Sequence, residues 1–234
     1  ELVMHVKNTT DNRIGCLFME ESVERTAEGF MGGDLSTPVH LPTSAVKRGD
    51  TEYRESFERC FGDEQLMIMD ASFDTGASVD AVVARVRFMA KALDCKVIIL
   101  DHISILVSGG QHGDERKALD EIMTKLRTLT QDTGIVLFAV SHLKRPEGKG
   151  HEEGAATSVA QLRGSASIAQ LSDFVIGLER NGQSEDPTER NTTYIRVLKN
   201  RFSGITGPAG ALLYDNDTGR LTEYEPIQEA EEAL

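Results

Sequence analysis

Three polar side chains, Glu20, Asp101 and His142, each stand where a short apolar run of the sequence ends. A carboxylate such as Asp101 can hold Mg²⁺ beside the phosphates of a nucleotide. A second carboxylate, Glu20, can orient a water molecule and take its proton during attack on a phosphoryl group. The imidazole of His142 can contact a terminal phosphate. The three residue types predict phosphoryl-transfer chemistry if the runs that carry them are neighbours.

The apolar runs have the character of strands in a parallel sheet. Lys96–Asp101 is almost fully apolar before its final acid and is rich in β-branched residues, which is typical of a strand buried on both faces. Ile14–Met19 and Ile135–Ser141 have the same character. Ligands of open α/β sheets bind at the carboxyl edge. We therefore expect the three polar side chains to collect at one edge of the sheet.

Each of the three side chains also has a purely structural interpretation. Asp101 can be a strand-end acid that makes a local turn. Glu20 can be an acid that the dipole of a following helix favours. His142 can be a loop histidine whose hydrogen bonds are satisfied locally.

Strand-like and helix-like segments alternate as far as Leu178, and strands that look antiparallel follow, closed by a hairpin turn at Asp215–Gly219. This order predicts an α/β fold with a mainly parallel sheet, flanking helices and a C-terminal β-hairpin. We expect one domain over residues 1–224 and an acidic, disordered tail over 225–234. The helices predicted are Glu1–Lys7, Ser22–Met31, Asp50–Phe61, Ser78–Leu93, Asp114–Gln131 and Ser158–Ser172. Further strands are predicted at Leu66–Asp70, Asp173–Leu178, Thr192–Leu198, Gly210–Tyr214 and Arg220–Glu223, and loops at Gly32–Thr43, Ser108–Asp114, Lys144–Thr157 and Asn181–Asn191.

The composition excludes several classes of protein. A net charge of −13 argues against a generic basic surface for nucleic acid, although a local basic loop or channel is compatible with it. No apolar run approaches the roughly 18 residues that a membrane span needs. The three cysteines are widely spaced and form no C-x-x-C pair, so neither a disulfide framework nor a structural zinc site is expected. A reducing cytoplasm fits this cysteine usage.

A set of short segments carries a family resemblance. In their order and spacing they resemble the RecA-like motor core of hexameric replicative helicases. More narrowly, they are similar to the helicase half of phage primase-helicases, the group that includes the Twinkle-type mitochondrial helicase. The segments are FMEES (Phe18–Ser22), VIILDHISI (Val97–Ile105), DERKALDEIMTKL (Asp114–Leu126), SHLKRP (Ser141–Pro146), HEEG (His151–Gly154), LRGSASIAQLSD (Leu162–Asp173), LER (Leu178–Arg180) and LKNRFSGITG (Leu198–Gly207).

The resemblance implies catalytic roles. Glu20 takes the position of the catalytic glutamate, Asp101 that of the Walker B aspartate that organises Mg²⁺, and His142 that of the polar phosphate sensor. Arg201 takes the position of the arginine finger, which reaches the nucleotide of the next subunit. A solvated basic strand end is the plain alternative for Arg201. Nucleotide-binding roles fall on Lys199, which with Arg201 forms a basic pair that reaches the next subunit's nucleotide, and on Gln170, near the nucleotide and DNA loops.

DNA-binding roles fall on two loops. The segment after His142 resembles the DNA loop of the central channel and would contact phosphates, while Arg163–Ser165 resembles a second channel loop. Glycines leave the backbone free to donate N–H groups, whereas the acids of the first loop also fit an ordinary solvated loop. Relatives can carry a basic residue where Ala169 stands, which weakens that contact. The residues assigned to DNA are Lys144, Arg145, Lys149, Arg163, Gly164 and Ser165.

One element of such a motor is missing. The sequence has no G-x-x-x-x-G-K-[S/T] phosphate-binding loop. We interpret the chain as beginning just after that loop, and we expect no efficient hydrolysis from it alone.

The resemblance implies a 5′–3′-type DNA helicase that uses Mg²⁺ and ATP or dTTP and moves along single-stranded DNA as a hexameric ring. Its compartment would be the cytoplasm of a bacterial or phage-infected cell. The acidic tail would bind a polymerase as tails of similar proteins do, or simply be a solvated end. A RecA-like ATPase of the recombinase or clock type, and a non-catalytic RecA-like DNA-binding subunit, are the alternatives.

Overall fold

A computed structural model describes residues 1–70, 78–103, 112–144, 148–162 and 166–225, without the side chains of 112–115. The helices are α1 (Leu2–Thr9), α2 (Val23–Leu35), α3 (Thr51–Phe61), α4 (Val79–Lys91), α5 (His112–Thr133), α6 (Ala166–Leu171) and α7 (Pro187–Asn191). The strands are β1 (Arg13–Phe18), β2 (Leu66–Asp70), β3 (Cys95–Asp101), β4 (Val136–Ala139), β5 (Phe174–Arg180), β6 (Thr192–Asn200), β7 (Gly207–Tyr214) and β8 (Leu221–Tyr224).

The described residues divide into two compact units, and their strands form two sheets. The first unit comprises the described parts of Glu1–Lys144, Leu162–Ser172 and Asp217–Gly219, and contains a parallel sheet in the order β2-β1-β3-β4. The second comprises the described remainder and contains an antiparallel sheet in the order β5-β6-β7-β8. The C-terminal hairpin that the sequence predicts is the β7–β8 pair.

Strand β3 is the buried centre of the parallel sheet, because its side chains alternate between two cores. Ile98 and Leu100 pack into a cluster with α4 and α5. Val97 and Ile99 pack into a second cluster with α1, α2 and α3. An unbroken apolar strand is the expected consequence of burial on both faces, so the apolar run correctly predicts a central parallel strand.

Local sequence signals set where two of the helices begin. The Ser22 hydroxyl accepts a hydrogen bond from the Arg25 amide at the start of α2. The Ser78 hydroxyl does the same for the Ala81 amide at the start of α4. Such a cap satisfies one of the amide groups that a helix leaves unpaired, and it contributes about 1 kcal/mol.

Several predicted boundaries are wrong. Helix α2 continues through Gly32 to Leu35, where the sequence predicts a loop. Gly32 is buried in the helix because the backbone of residues 37–39 packs closely against it. An added Cβ at Gly32 would stand 3.2 Å from the Thr37 carbonyl oxygen. Helix α5 begins at His112, inside the predicted linker Ser108–Asp114, and residues 108–111 lie outside the described residues.

Two further errors concern short helices. Within the described part of the predicted helix Ser158–Ser172, Val159–Gln161 form a 3₁₀ turn and Ala166–Leu171 form α6, while residues 163–165 lie outside the described residues. The predicted loop Asn181–Asn191 contains helix α7, which Asp186 caps and Pro187 begins. An acid followed by proline is a recognised helix start, so that signal was available in the sequence.

Candidate functional site

The predicted meeting of polar residues at one sheet edge is found in the first unit. Strand β1 lies between β2 and β3, and β3 pairs with β4, all parallel. Phe18 is in register with Asp101, and Leu100 with Ala139. Glu20 and His142 therefore follow strand ends that lie side by side with the end carrying Asp101.

Backbone hydrogen bonds fix these three strand ends beyond the regular ladder. The Met19 amide donates to the Asp101 carbonyl oxygen over 2.8 Å. The Val140 amide donates to the Leu100 carbonyl oxygen over 2.9 Å, and the Ile103 amide to the Val140 carbonyl oxygen over 3.0 Å. The backbone on both sides of Asp101 is thus held, which limits how far its carboxylate can move.

Glu20 contacts a histidine that the sequence assignments omitted. Its Oε1 atom lies 2.9 Å from Nε2 of His102, an ion-pair distance, although the angle is not that of a well-formed hydrogen bond. This contact, with the nearby imidazole charge, holds the pKa of the Glu20 carboxyl below its usual value. The Glu20 side chain is 59% exposed. The Glu20 carboxylate is therefore ionised and accessible at neutral pH, although its lowered pKa makes it a weaker base than an ordinary glutamate.

The two histidine rings at this edge are packed against each other. The ring centroids of His102 and His142 are 3.9 Å apart, with an angle of 36° between the ring planes. His102 is only 4% exposed, whereas His142 is exposed. Glu20, His102 and His142 therefore form one continuous series of contacts from a carboxylate to a solvent-facing imidazole.

Asp101 is half-buried at the end of β3. Burial is the main cause of its raised pKa. The imidazole of His102 opposes this shift, and the negative charges of Glu20 and Glu21 add to it. A carboxylate in such surroundings gains more from a bound cation than a fully solvated one does, because the cation offsets both the burial and the neighbouring charge.

The donors at this edge suit Mg²⁺ in one binding mode only. Within the described residues, no group of three or more His, Cys, Asp or Glu side chains is arranged to hold a metal ion. Mg²⁺ is usually bound by one or two carboxylates together with substrate phosphates and water. Asp101 fits Mg²⁺ in that mode, in which phosphate oxygens supply the remaining ligands, and it does not fit a metal site made of protein ligands alone.

Lys199 and Arg201 lie in the second unit, Lys199 on β6 and Arg201 just after it, at the turn that leads to β7. The Arg201 amide donates to the Asp173 carbonyl oxygen over 2.8 Å, and Arg201 Nε lies 3.3 Å from Asp173 Oδ1. The Asn200 side chain accepts from the amides of Phe202 and Ser203, both at 3.1 Å. These bonds fix the turn that presents Arg201, whose side chain is 39% exposed. Lys199 is half-buried on β6.

The described basic residues of the predicted DNA loop, Lys144 and Lys149, are both exposed. The loop beyond Lys149 is held locally rather than freely extended: the Gly150 amide donates to Glu153 Oε2 over 2.9 Å, and Glu153 forms an isolated bridge with Asn181. The exposed lysines thus stand at the beginning of the predicted loop, whereas its later part is held by local hydrogen bonds.

A buried ion pair holds the far end of the same loop. Glu179 Oε1 accepts from the Thr157 amide at 2.7 Å, the Thr157 hydroxyl at 2.8 Å and Arg196 Nε at 2.7 Å. Burial acts to raise the pKa of Glu179, but Arg196 and the two Thr157 donors outweigh it, so the pKa is lowered. Gly177 makes room, because a Cβ there would stand 2.0 Å from the Thr157 hydroxyl oxygen.

Two other positions named by the sequence analysis, 169 and 170, lie on helix α6. Gln170 is exposed on α6, and Ala169 beside it is half-buried. Arg145, Arg163, Gly164, Ser165 and the tail residues 226–234 lie outside the described residues. No helix within the described ranges combines the length and the apolar character needed to cross a bilayer.

Sequence reasoning missed His102 and the Glu179–Arg196–Thr157 cluster. His102 directly follows Asp101, so its place at the strand end was a usable signal. Glu179 alternates with exposed residues on β5, and a buried acid on an alternating strand calls for a buried partner. Its partner Thr157 is 22 residues away in sequence, which no local pattern reveals.

Comparison with known proteins gives a consistent result. A sequence model of the family described as DnaB-like helicase C-terminal domain matches residues 2–223. The chain is 44% identical over 214 residues to a DNA helicase/primase of Enterobacteria phage T3, which covers 89% of this chain and 37% of the relative. It is 22% identical over 198 residues to the replicative DNA helicase DnaB of Leifsonia xyli subsp. xyli, covering 82% of this chain and 42% of the relative. The chain thus spans about two fifths of the length of these relatives.

Solved structures show the same fold. A structure described as an ATPase domain superimposes with a TM-score of 0.68 at 17% identity, covering 92% of this chain and 75% of that one. A DnaB-like replicative helicase studied for its interactions with primase gives the same TM-score and identity, covering 92% of this chain and 51% of that one. The predicted RecA-like α/β fold is confirmed.

Proposed function

Because the chain belongs to the family of DnaB-like helicase C-terminal domains, we propose that it is the motor core of a replicative DNA helicase. The motor hydrolyses a nucleoside triphosphate such as ATP or dTTP and moves along single-stranded DNA. The observation that carries this proposal is the sheet edge at which Glu20, Asp101 and His142 follow adjacent parallel strands. An acyl-transfer or redox role would need other groups, whereas these residue types suit phosphoryl transfer.

Each side chain has a role in the proposed reaction. The Glu20 carboxylate orients a water molecule and takes a proton from it as the water oxygen attacks the terminal phosphorus, and the bond from that phosphorus to the bridging oxygen breaks. Asp101 holds Mg²⁺, which neutralises phosphate charge when it is bound. His142, exposed beside the edge, contacts the terminal phosphate. Gln170 adds a further nucleotide contact, whereas Lys199, like Arg201, reaches the nucleotide of the neighbouring subunit.

Arg201 acts on the nucleotide of a neighbouring subunit in a ring, proposed to be a hexamer. Its rigid turn and its exposure suit a guanidinium that reaches outward to a developing negative charge, an effect of roughly 10³–10⁵-fold in hydrolysis rate in comparable enzymes. The ion pair with Asp173 holds the side chain until the neighbouring nucleotide competes for it.

The DNA contact is assigned to the start of the loop after His142. Lys144 and Lys149 are exposed there, and together with Arg145 and the Arg163–Ser165 segment they would follow phosphates without reading base sequence. At the far end of this loop, Glu179 anchors Thr157. The absence of aromatic side chains from residues 143–157 favours backbone tracking over base stacking.

The test is unwinding of a forked DNA duplex by the longest protein that the gene encodes, because the 234 residues contain no G-x-x-x-x-G-K-[S/T] loop. We expect nucleotide-dependent unwinding that Arg201→Ala abolishes. DNA-stimulated hydrolysis without unwinding would instead favour a recombinase- or clock-type ATPase. DNA binding without any hydrolysis would favour a non-catalytic subunit.

A further inference from the structure

His102 touches both Glu20, the proposed general base, and His142, the proposed phosphate sensor. The separate roles of these two residues do not require such a connection. The Nε2 atom of His102 lies 2.9 Å from Glu20 Oε1, and its ring packs at 3.9 Å against that of His142. The ring is 4% exposed. The solvent-facing sensor and the general base are thus joined through one buried ring.

Burying the His102 imidazole only to fill space in the core would cost free energy. Its Nε2 atom lies beside Glu20, but its Nδ1 atom has no hydrogen-bond partner among the described residues. A buried polar atom left without a partner costs about 1–3 kcal/mol, whereas a phenyl or aliphatic side chain would fill a similar volume without that cost. Polar atoms of this kind in a native core call for a functional explanation.

We propose that His102 is a positioning residue that couples the phosphate sensor His142 to the general base Glu20. The proposal rests on the proposed function of this edge. While His142 contacts the terminal phosphate, its ring supports the His102 ring, which holds the Glu20 carboxylate where it can accept a proton from the attacking water. When the phosphate leaves, the His142 ring is released, the His102 ring shifts with it, and Glu20 leaves the attack geometry.

Two substitutions separate the two contacts. His102→Phe keeps a ring against His142 but removes the nitrogen that contacts Glu20. His102→Gln keeps a polar N–H for Glu20 but removes the ring that packs on His142. Each is combined with His142→Ala in the longest encoded protein, and steady-state kcat and KM for nucleotide hydrolysis are measured.

Coupling predicts a specific kinetic pattern. His102→Phe lowers kcat by about tenfold or more while KM stays within about twofold, since the base and not the nucleotide site is disturbed. His102→Gln lowers kcat less. In either His102 variant, adding His142→Ala lowers kcat little further, because the contact series from Glu20 through His102 to His142 is already broken. The fold-losses in kcat from the two substitutions therefore do not multiply.

The proposal is overturned if His102→Phe hydrolyses at the wild-type rate, if kcat and KM deteriorate together, or if the losses from residues 102 and 142 multiply. Ser56→Ala is the stability control, because Ser56 is buried in the same unit and its hydroxyl bonds Asp34 rather than the edge. Glu20→Gln distinguishes failure of the proposed hydrolytic function from failure of the proposed coupling through His102. If that variant keeps hydrolysis, the proposed function fails; if it is inactive and His102→Phe is not, only the coupling fails.

Discussion

Asp101 and Asp70 both lie in register with Phe18, one on each side of strand β1. Both end a parallel strand at the same edge of the sheet, yet they differ in surroundings: Asp101 is half-buried beside His102 and Glu20, whereas Asp70 is exposed. Because the two acids hold equivalent positions on either side of β1, Asp70 is a control for the metal-binding role proposed for Asp101.

Asp101→Asn should reduce nucleotide hydrolysis by at least about 100-fold, because the amide cannot supply the charge that Mg²⁺ requires. Asp70→Asn, the same chemical change on the far side of β1, should leave the rate within about twofold. Hydrolysis is measured across a Mg²⁺ titration in the longest encoded protein. If both variants lost hydrolysis to the same extent, the acids at this edge would serve folding, and Asp101 would have no specific role in binding Mg²⁺.

Glu20→Gln should lower kcat by about 10²–10⁴-fold, which is the usual contribution of a positioned general base. Nucleotide binding should persist, since the glutamine is close in shape to the glutamate. The matched control is Glu21→Gln at the next position, where the carboxylate accepts from the Thr26 hydroxyl instead. Single-turnover hydrolysis and nucleotide affinity are compared, and a Glu20→Gln enzyme with normal turnover would remove the general base from the account.

Lys144→Ala with Lys149→Ala should weaken single-stranded DNA binding and flatten its salt dependence. Each lost phosphate contact should reduce the slope of log affinity against log salt by about 0.7. Lys96→Ala is the control, because Lys96 is exposed at the opposite end of β3 and is already paired with Asp94. Fluorescence anisotropy with a labelled oligothymidine gives the slope. An unchanged slope in the double variant would exclude this loop as the phosphate contact.

Glu179→Gln should destabilise the second unit by about 1–3 kcal/mol at neutral pH, because Arg196 and Thr157 lose a charged acceptor. The pKa of Glu179 is lowered in the folded state. Its stabilising contribution is therefore fully present above the ordinary glutamate pKa of about 4.3 and is lost as the pH falls through the lower folded-state pKa.

The check is a series of denaturant unfolding curves across acidic and neutral pH. The difference between wild type and Glu179→Gln should be constant near neutrality and shrink at acidic pH. Glu223→Gln, an exposed acid of the same sheet, should show no such difference. A Glu179→Gln protein as stable as wild type at neutral pH would mean that Thr157 is not anchored in solution.

Sequence reasoning succeeded where local patterns carry the information. The run that contains Val97–Leu100 is apolar because β3 is buried on both faces, and the serines before α2 and α4 cap those helices. Sequence reasoning failed where the structure depends on contacts between residues that no local pattern connects. The Glu179–Thr157 contact joins residues far apart in the chain, and the burial of Gly32 that extends α2 depends on the backbone at Thr37.

The site itself was partly predictable. The three strand-end residues could be named because parallel neighbours bring their carboxyl ends together. The position of His102 after Asp101 was a usable signal, but its contacts with the ring of His142 and the carboxylate of Glu20 could not be predicted, because only the fold brings these residues together.

The most direct test mixes two inactive variants, Glu20→Gln and Arg201→Ala, in the longest encoded protein. In a mixed ring, an Arg201→Ala subunit supplies an intact Glu20, and its Glu20→Gln neighbour supplies an intact Arg201, so some subunit boundaries regain a complete site. We predict that hydrolysis reappears on mixing and peaks at intermediate ratios. Mixed rings that form, as shown by co-purification of two tags, but stay inactive at every ratio would contradict a site shared between subunits.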